Sequence, residues 1–399
     1  MKSKKELLHL GFEFADVNGE WPRVVDIPSS TAIRRAFGSF SNYKHELTKA
    51  YIDRNGCPEW DVKGPAPGRT KTTLAREAVA DVLQDSISRI GAFPPTKKPK
   101  SKKGRKDVAE MHLVISDVHV GSYTEKAMAS SMSEGYNIDT FRESADTLEE
   151  RINFFAGVYS SGFYVDKLVV NFLGDIVDGE AIFLGQALQV DRIITEQVVE
   201  AAHRFASMFY NWSQTFGEVE IFCVPGNHGR IGKKNELHWR SNLDYMAYLF
   251  VQQKLEKQKN IKMHISRSPN MIVEHGGTNW LLHHGDFVKG GAGGSYVPYE
   301  RKMRALSSMG DLPIHFSVSG HYHTSMSTSG VNAGRIITNG SFPGANEFSV
   351  NVCNSGNTPS QRAWLFSPKK GVIHSENDIY LADRISLKPD KNGIYTEYE

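Results

Sequence analysis

From residue 111 onward the chain carries five short apolar runs, MHLVIS, KLVVNFLG, VEIFCVPG, TNWLLHHG and IHFSVSG, each stopping at a glycine or a polar cluster. Runs of this length and composition read as strands. Between the first three lie long amphipathic stretches, about residues 139–158 and 189–216, spaced as crossover helices. Strands alternating with helices restrict this part of the chain to an α/β body. In open α/β sheets ligands gather at the carboxyl ends of the strands. The residues at those ends are therefore the ones to read for chemistry.

They form five clusters: Asp117-Val-His119, Gly174-Asp175-Ile-Val-Asp178, Gly226-Asn227-His228, His283-His284-Gly285-Asp286 and Gly320-His321-Tyr-His323. Imidazoles and carboxylates without a thiolate suit borderline divalent cations, manganese, iron or zinc, rather than the all-oxygen preference of calcium or magnesium. Two such ions need one bridging carboxylate, and Asp175, on the most apolar strand, is the natural bridge. A pair about 3.5–4 Å apart clamps a phosphate and generates a bound hydroxide. Each cluster alone is weak, since Asp-x-His is a common surface pair and Gly-Asn-His a common turn. Five in one order, each after a strand-like run, carry the metal reading.

In this order the clusters resemble the calcineurin-like metallophosphoesterase superfamily, whose pattern is DxH, GDxxD, GNH, a His before Gly, and GHxH, over about residues 111–345. The resemblance implies a four-layer α-β-β-α sandwich. It also implies one metal on Asp117, His119, Asp175 and His323 and a second on Asp175, Asn227, His284 and His321. By the same positions His228 donates a proton to the leaving group and Asp178 orients its ring. Neighbours on a strand point to opposite faces, so only one of His283 and His284 should be a ligand, and position favours His284. His112, His264, His275 and His315 match nothing and read as structural or solvent-facing. Gly179 and Gly229 stand where protein phosphatases of the superfamily place Arg and Glu, which weakens that substrate class. Arg230 is the nearest replacement phosphate-binding group, or else a turn cap.

The formal net charge of +2 conceals a split: residues 1–106 hold 21 Lys and Arg against 12 Asp and Glu, leaving 26 against 33 beyond. A basic head on an acidic body implies different partners for the two parts. Within the head, GEWPRVVDIPSSTAIRRAFGSFSNYKHELTKA outlines two short helices and a tight turn, a helix-turn-helix pattern. It resembles the small repeat associated with homing endonucleases, which would place Ser30, Thr31, Arg34 and Arg35 on a helix facing phosphates or bases. Residues 71–90 read as an amphipathic helix that packs. Seven of the ten residues Lys97–Lys106 are basic, and Pro94, Pro95 and Pro99 prevent regular structure there. Such a linker either stays solvated or also touches phosphates.

Three scattered cysteines, no secretory leader and no membrane-length apolar run place the chain in the cytoplasm, without a membrane partner. The expected domains are 1–92, small and helical; 93–106, linker; 107–345, catalytic; and 346–399, an extension forming edge strands or a lid. In the Gly-rich insertion 285–305, Lys289, Tyr296, Tyr299 and Arg301 combine cations with aromatics, a mix suited to nucleic-acid backbone and bases. Trp239 and Tyr245, in the 233–250 insertion, are expected to pack. The sequence thus points to a two-metal phosphodiesterase acting on nucleic acid, most of all DNA. Manganese is the ion the resemblance favours over iron, zinc or nickel. The alternatives are a phosphomonoesterase or nucleotide phosphohydrolase using the same metals, and a DNA-binding or assembly factor with a vestigial site.

Overall fold

The computed structural model describes residues 4–18, 91–96, 107–124, 135–182, 185–232, 236–288, 296–330, 332, 334–344 and 358–382, with scattered positions between 22 and 51. Arg34, Arg35, Lys289 and the basic run Lys97–Lys106 lie outside the described residues, as do Ser30, Thr31 and the expected helix at 71–90. The chain divides into two compact units, Met1–Leu83 and Gln84–Glu399.

The first unit is helical where it is described. Helix α1 (Lys4–Asn18) buries Leu7 against Ile33, Phe37, Tyr43 and Leu47. Tyr43 donates its hydroxyl to the Leu7 carbonyl at 2.8 Å, which removes the cost of burying that polar atom. Phe37 and Tyr43 meet edge to face at 5.2 Å, and Gly11 lets Leu47 and Tyr43 close on α1 where a Cβ would lie 2.5 Å from both.

The second unit holds two sheets. Strands β1 (Val108–Ile115), β2 (Tyr164–Phe172), β3 (Glu218–Cys223) and β4 (Ile261–Ile265) run parallel. Strands β5 (Asn270–His275), β6 (Thr278–His283), β7 (Phe316–Ser319), β8 (Met326–Ser329) and β9 (Arg335–Thr338) make the second sheet, in the order β5-β6-β7-β9-β8. The carboxyl-terminal strands β10 (Ser360–Ser367) and β11 (Val372–Tyr380) complete the first, in the order β11-β10-β1-β2-β3-β4. The described residues of the extension add two strands to the first sheet, and β10 carries Trp364 and Phe366 into the space between the sheets. They meet Val114, Val169 and Phe222 of one sheet and Trp280, Phe316 and Ile337 of the other.

Helices cover both outer faces. The run Leu168–Phe172 is buried without alternation, as a parallel strand covered on both sides must be. Helix α2 (Ile138–Gly162) begins at Asn137, whose side chain accepts from the Asp139 and Thr140 amides at 2.9 and 3.0 Å. Helix α3 (Ile194–Thr215) buries Val198, Ala201, Phe205, Phe209 and Trp212, one stripe at helical spacing. It starts later than the sequence suggests, since residues 186–188 form a separate 3-10 turn. Helix α4 (Leu243–Lys254) completes this layer, and α5 (Val297–Gly310) packs Tyr299 and Met303 against Leu281 and Ile336 of the second sheet. The result is the four-layer sandwich expected. Thr278–His283 and Phe316–Ser319 were legible as strands. Strands β4, β5, β8 and β9 were not, being short and only partly apolar.

Candidate metal centre

The five clusters all fall in the turns that leave the carboxyl ends of β1, β2, β3, β6 and β7. Those turns are tightly laced. Val118 and His119 donate backbone N–H to the Asp175 carbonyl at 2.8 and 3.0 Å, and Asp117 to that of Gly174 at 3.0 Å. Asp117, His119, Asp175, His321 and His323 all have φ between 51° and 77°, the left-handed region that non-glycine residues avoid. Each costs on the order of 1–3 kcal/mol, a strain that surrounding structure must impose and that gathers at functional sites. Gly174 (φ 86°) sits beside Asp175, where a Cβ would lie 2.2 Å from the Gly226 nitrogen. Only glycine lets these two loops touch.

Among the described residues, side-chain donors converge in three groups: Asp117, His119 and His323; His119, Asp178 and His228; and Asp175, His284 and His321, each with its donor atoms within 4.8 Å of one another. Nε2 of His119 lies 3.1 Å from Nε2 of His323, which lies 3.5 Å from Oδ1 of Asp117. Nε2 of His284 lies 2.9 Å from Oδ2 of Asp175 and 3.1 Å from Oδ1 of Asn227. In two of these rings the other nitrogen is engaged: Nδ1 of His119 with Asp178 at 2.9 Å, and Nδ1 of His284 with the Leu173 carbonyl at 2.8 Å. Partners on Nδ1 orient an imidazole and leave Nε2 for a cation. His283 turns away, its Nε2 3.0 Å from Ser317, and burial pushes its ring down to about 3, so it is neutral.

His228 belongs to the group it shares with His119 and Asp178. Its backbone donates to Oδ1 of Asp175 at 2.7 Å, and its Nδ1 lies 2.9 Å from the Asp178 carbonyl oxygen. The Asp178 carboxylate is 3.4 Å from that nitrogen and nearer to His119. The expected Asp178–His228 pair is thus made mostly through the Asp178 backbone, while its carboxylate serves His119. Burial pushes the His228 imidazolium down, but the charge of Asp175 and the bonds to Asp178 outweigh it and raise the ring to about 9.

Asp117, Asp175, Asp178 and Asp244 are all buried; among the described residues the first three pair with histidines, never with Lys or Arg, and Asp244 accepts from backbone amides. Burial and the charge of Asp175 push both Asp117 and Asp244 up. Burial lowers His284, yet Asp175 outweighs it and holds the ring up at about 10. A cation entering there must displace that proton. Buried carboxylates without cationic side chains, with imidazoles and an amide oxygen but no thiolate, form a donor set that fits borderline divalent ions.

The sequence profile of the calcineurin-like phosphoesterases matches residues 112–325, over half of the chain. The chain belongs to this family. Its motifs and its donor groups together point to divalent metal binding by this phosphoesterase. No curated protein matches it. Similar solved structures include a zinc complex of Vps29 from Entamoeba histolytica, 13% identical over 67% of this chain and 99% of that one, TM-score 0.28. A hypothetical protein of Pyrococcus horikoshii is 10% identical over 68% and 88%, TM-score 0.35. An archaeal phosphodiesterase is 9% identical over 67% and 99%, TM-score 0.28.

Several residues that support the phosphoesterase site carry no motif. Asp244, in the first turn of α4, is fully buried and accepts from the amides of Asp175, Ile176, Val177 and Gly226 at 2.8–3.2 Å. Asn242, the cap of α4, donates to the Gly226 carbonyl at 2.7 Å. Gln361 on β10 accepts from the Ser116 amide at 3.0 Å, so the carboxyl-terminal extension braces the Asp117 turn. Only Asn242-x-Asp244 leaves a trace in the sequence, as a helix start. Tyr299, expected among base-stacking groups, is 1% exposed in the core under α5 and cannot stack on a ligand. Trp239 packs edge-on against Tyr245 at 5.9 Å. His112 and His275 are buried between the sheets, whereas His264 is exposed beside Glu220. The buried Nε of Arg230 has no hydrogen-bond partner among the described residues. No described helix is long and apolar enough to cross a membrane.

Proposed function

We propose that this phosphoesterase is a two-metal phosphodiesterase of nucleic acid, with DNA as its substrate. The observation that carries the reading is the convergence of buried histidines and carboxylates into three donor groups, with the His228 backbone bonded to Asp175. Asp117, His119, Asp175 and His323 would hold one divalent cation, and Asp175, Asn227, His284 and His321 the other. Bound there, such ions supply positive charge for the phosphoryl oxygens and a water acidified toward neutrality. Manganese is the ion to load first, with iron, zinc and nickel sharing its preference for this donor set.

The remaining work falls to side chains. With Nδ1 of His228 held by the Asp178 carbonyl, Nε2 is the ring atom that can reach a leaving oxygen. In its protonated form that ring is a proton donor for the alkoxide. The Asp178 carboxylate, through His119, fixes a ligand ring rather than moving a proton. DNA as substrate is supported by the basic amino-terminal segment and the run Lys97–Lys106, since an acidic catalytic unit gains from a tethered basic module when the substrate is a polyanion.

The test offers manganese-loaded full-length protein single- and double-stranded DNA, bis-p-nitrophenyl phosphate and p-nitrophenyl phosphate. Cleavage of DNA and of the small diester is expected. Hydrolysis of the monoester alone refutes the nuclease reading, and no turnover with any of the four metals leaves a vestigial site. Arg34→Gln with Arg35→Gln should slow DNA cleavage more than hydrolysis of the small diester, increasingly so at low salt.

A further inference from the structure

Beside Asn227 a cleft of about 180 Å3 runs between the turn after β3 and residues 237–242. Its lining includes Arg230, Leu237, His238, Trp239 and Asp286. Asn227 belongs at once to this lining and to the donor group around Asp175, 3.1 Å from His284, so the cleft opens directly off the candidate metal centre.

Arg230 is the residue in it without an internal explanation. Its Nε is buried with no hydrogen-bond partner, and its guanidinium forms no ion pair among the described residues. Leaving such a donor unmet costs on the order of 1–3 kcal/mol. The backbone holds it in place regardless: Arg230 forms a β-bridge with Asn242, the residue that caps α4 and bonds Gly226. The half-buried guanidinium keeps its two terminal nitrogens for a ligand, and these can grip a phosphate through two parallel N–H bonds. Asp286 contributes a carboxylate to the same lining, so an anion would be located by Arg230 rather than by general positive charge. Trp239 adds an aromatic surface in the same cleft, where a base can stack for about 1–3 kcal/mol.

We infer that this cleft is the subsite for the nucleotide next to the scissile phosphate, with Arg230 gripping that nucleotide's own phosphate and Trp239 receiving its base. The inference rests on the phosphodiesterase reading above and narrows it, because a simple monoester has nothing to place there.

The test uses the full chain loaded with manganese, a short single-stranded oligothymidylate, and bis-p-nitrophenyl phosphate. A phosphorylated thymidine dinucleotide serves as competitor of the small diester. Arg230→Gln should lower kcat/KM on the oligonucleotide about tenfold or more beyond its effect on the small diester, chiefly through KM, the size a charge-assisted hydrogen bond supplies. It should weaken competition by the dinucleotide to the same degree, and Trp239→Ala should weaken it too. Equal losses on both diesters, or unchanged competition, overturn the subsite. If the wild-type protein leaves the oligonucleotide intact, it is the nuclease reading that fails, while the competition experiment still decides whether Arg230 holds a nucleotide. Stability gives an independent readout: Arg230→Met removes an unmet buried donor, so the Tm should hold or rise. A fall of several degrees would mark Arg230 as a structural brace and overturn the assignment.

Discussion

Replacing Asp244 by Asn keeps the shape of a side chain that is itself in none of the donor groups, yet it should disable the site. Oδ2 of Asp244 accepts from the amides of Asp175 and Gly226, both at 2.8 Å, and Oδ1 from those of Ile176 and Val177 at 3.0 and 3.2 Å. An Asn in either rotamer must turn its NH2 toward one of those pairs, setting donors against donors. Two hydrogen bonds to a charged acceptor at about 1.5–3 kcal/mol each are lost. Relief of the repulsion that, with burial, pushes the Asp244 carboxyl up returns part of this. A net destabilisation of about 3 kcal/mol follows, large against a typical total of about 5–15. Because Asp244 bonds the amide of Asp175, whose φ is 51°, metal affinity should fall about 10–100-fold, the usual effect of removing an outer partner. Urea denaturation of metal-free protein reads the first quantity, and titration with manganese reads the second. A variant with wild-type midpoint and wild-type affinity would show that the four amides do not depend on this carboxylate, and the reasoning would be wrong.

Three further outcomes are expected. His228→Ala should lower kcat about 100-fold or more while retaining full metal content; metal loss in that variant would move His228 into the ligand set. Gly174→Ala forces a Cβ to 2.2 Å from the Gly226 nitrogen at a φ of 86°, which should cost about 3 kcal/mol or more, and a denaturation midpoint near wild type would refute the close-approach argument. His275 is held down at about 4, by burial first and then by His112, with Lys167 adding to the effect and Glu110 and Glu220 opposing it. The unfolded chain therefore binds this proton first as pH falls, so the stabilisation is complete above about 6.5 and lost toward 4, at about 1.4 kcal/mol per pH unit. Metal-free protein should show that acid limb, and His275→Phe should flatten it; an unchanged limb would assign the loss to other groups.

The turns were legible because a parallel strand and the residues that follow it are contiguous in sequence: an apolar run, a glycine, then the donors. Asp117-x-His119 and Gly174-Asp175 could be read for that reason alone. Asp244 could not, since what it grips lies 18 to 69 positions away and a helix-start aspartate looks the same wherever its carboxylate points. Tyr299 was misread for a related cause. Beside Arg301 and a Gly-rich loop it looks like a surface aromatic, but α5 turns that face onto the second sheet. The extension after residue 345 gave strand-like runs and no address for them; β10 found its place because the free edge of β1 needs a partner, and its Trp364 fills the space above Trp280.

By itself, then, the sequence determined the α/β alternation, the order of the five clusters and the absence of thiolate donors, all of them properties of neighbours along the chain. The tertiary structure alone decided which nitrogen of His119 and His284 stays available, that the Asp178 carboxylate serves His119 more than His228, and that Arg230 lines a cleft beside Asn227 with its buried Nε unmet. Those are matters of direction and distance between groups far apart in sequence. They depend on how two packed sheets bring strand ends together, and no spacing along the chain encodes where a ring nitrogen or a guanidinium finally points.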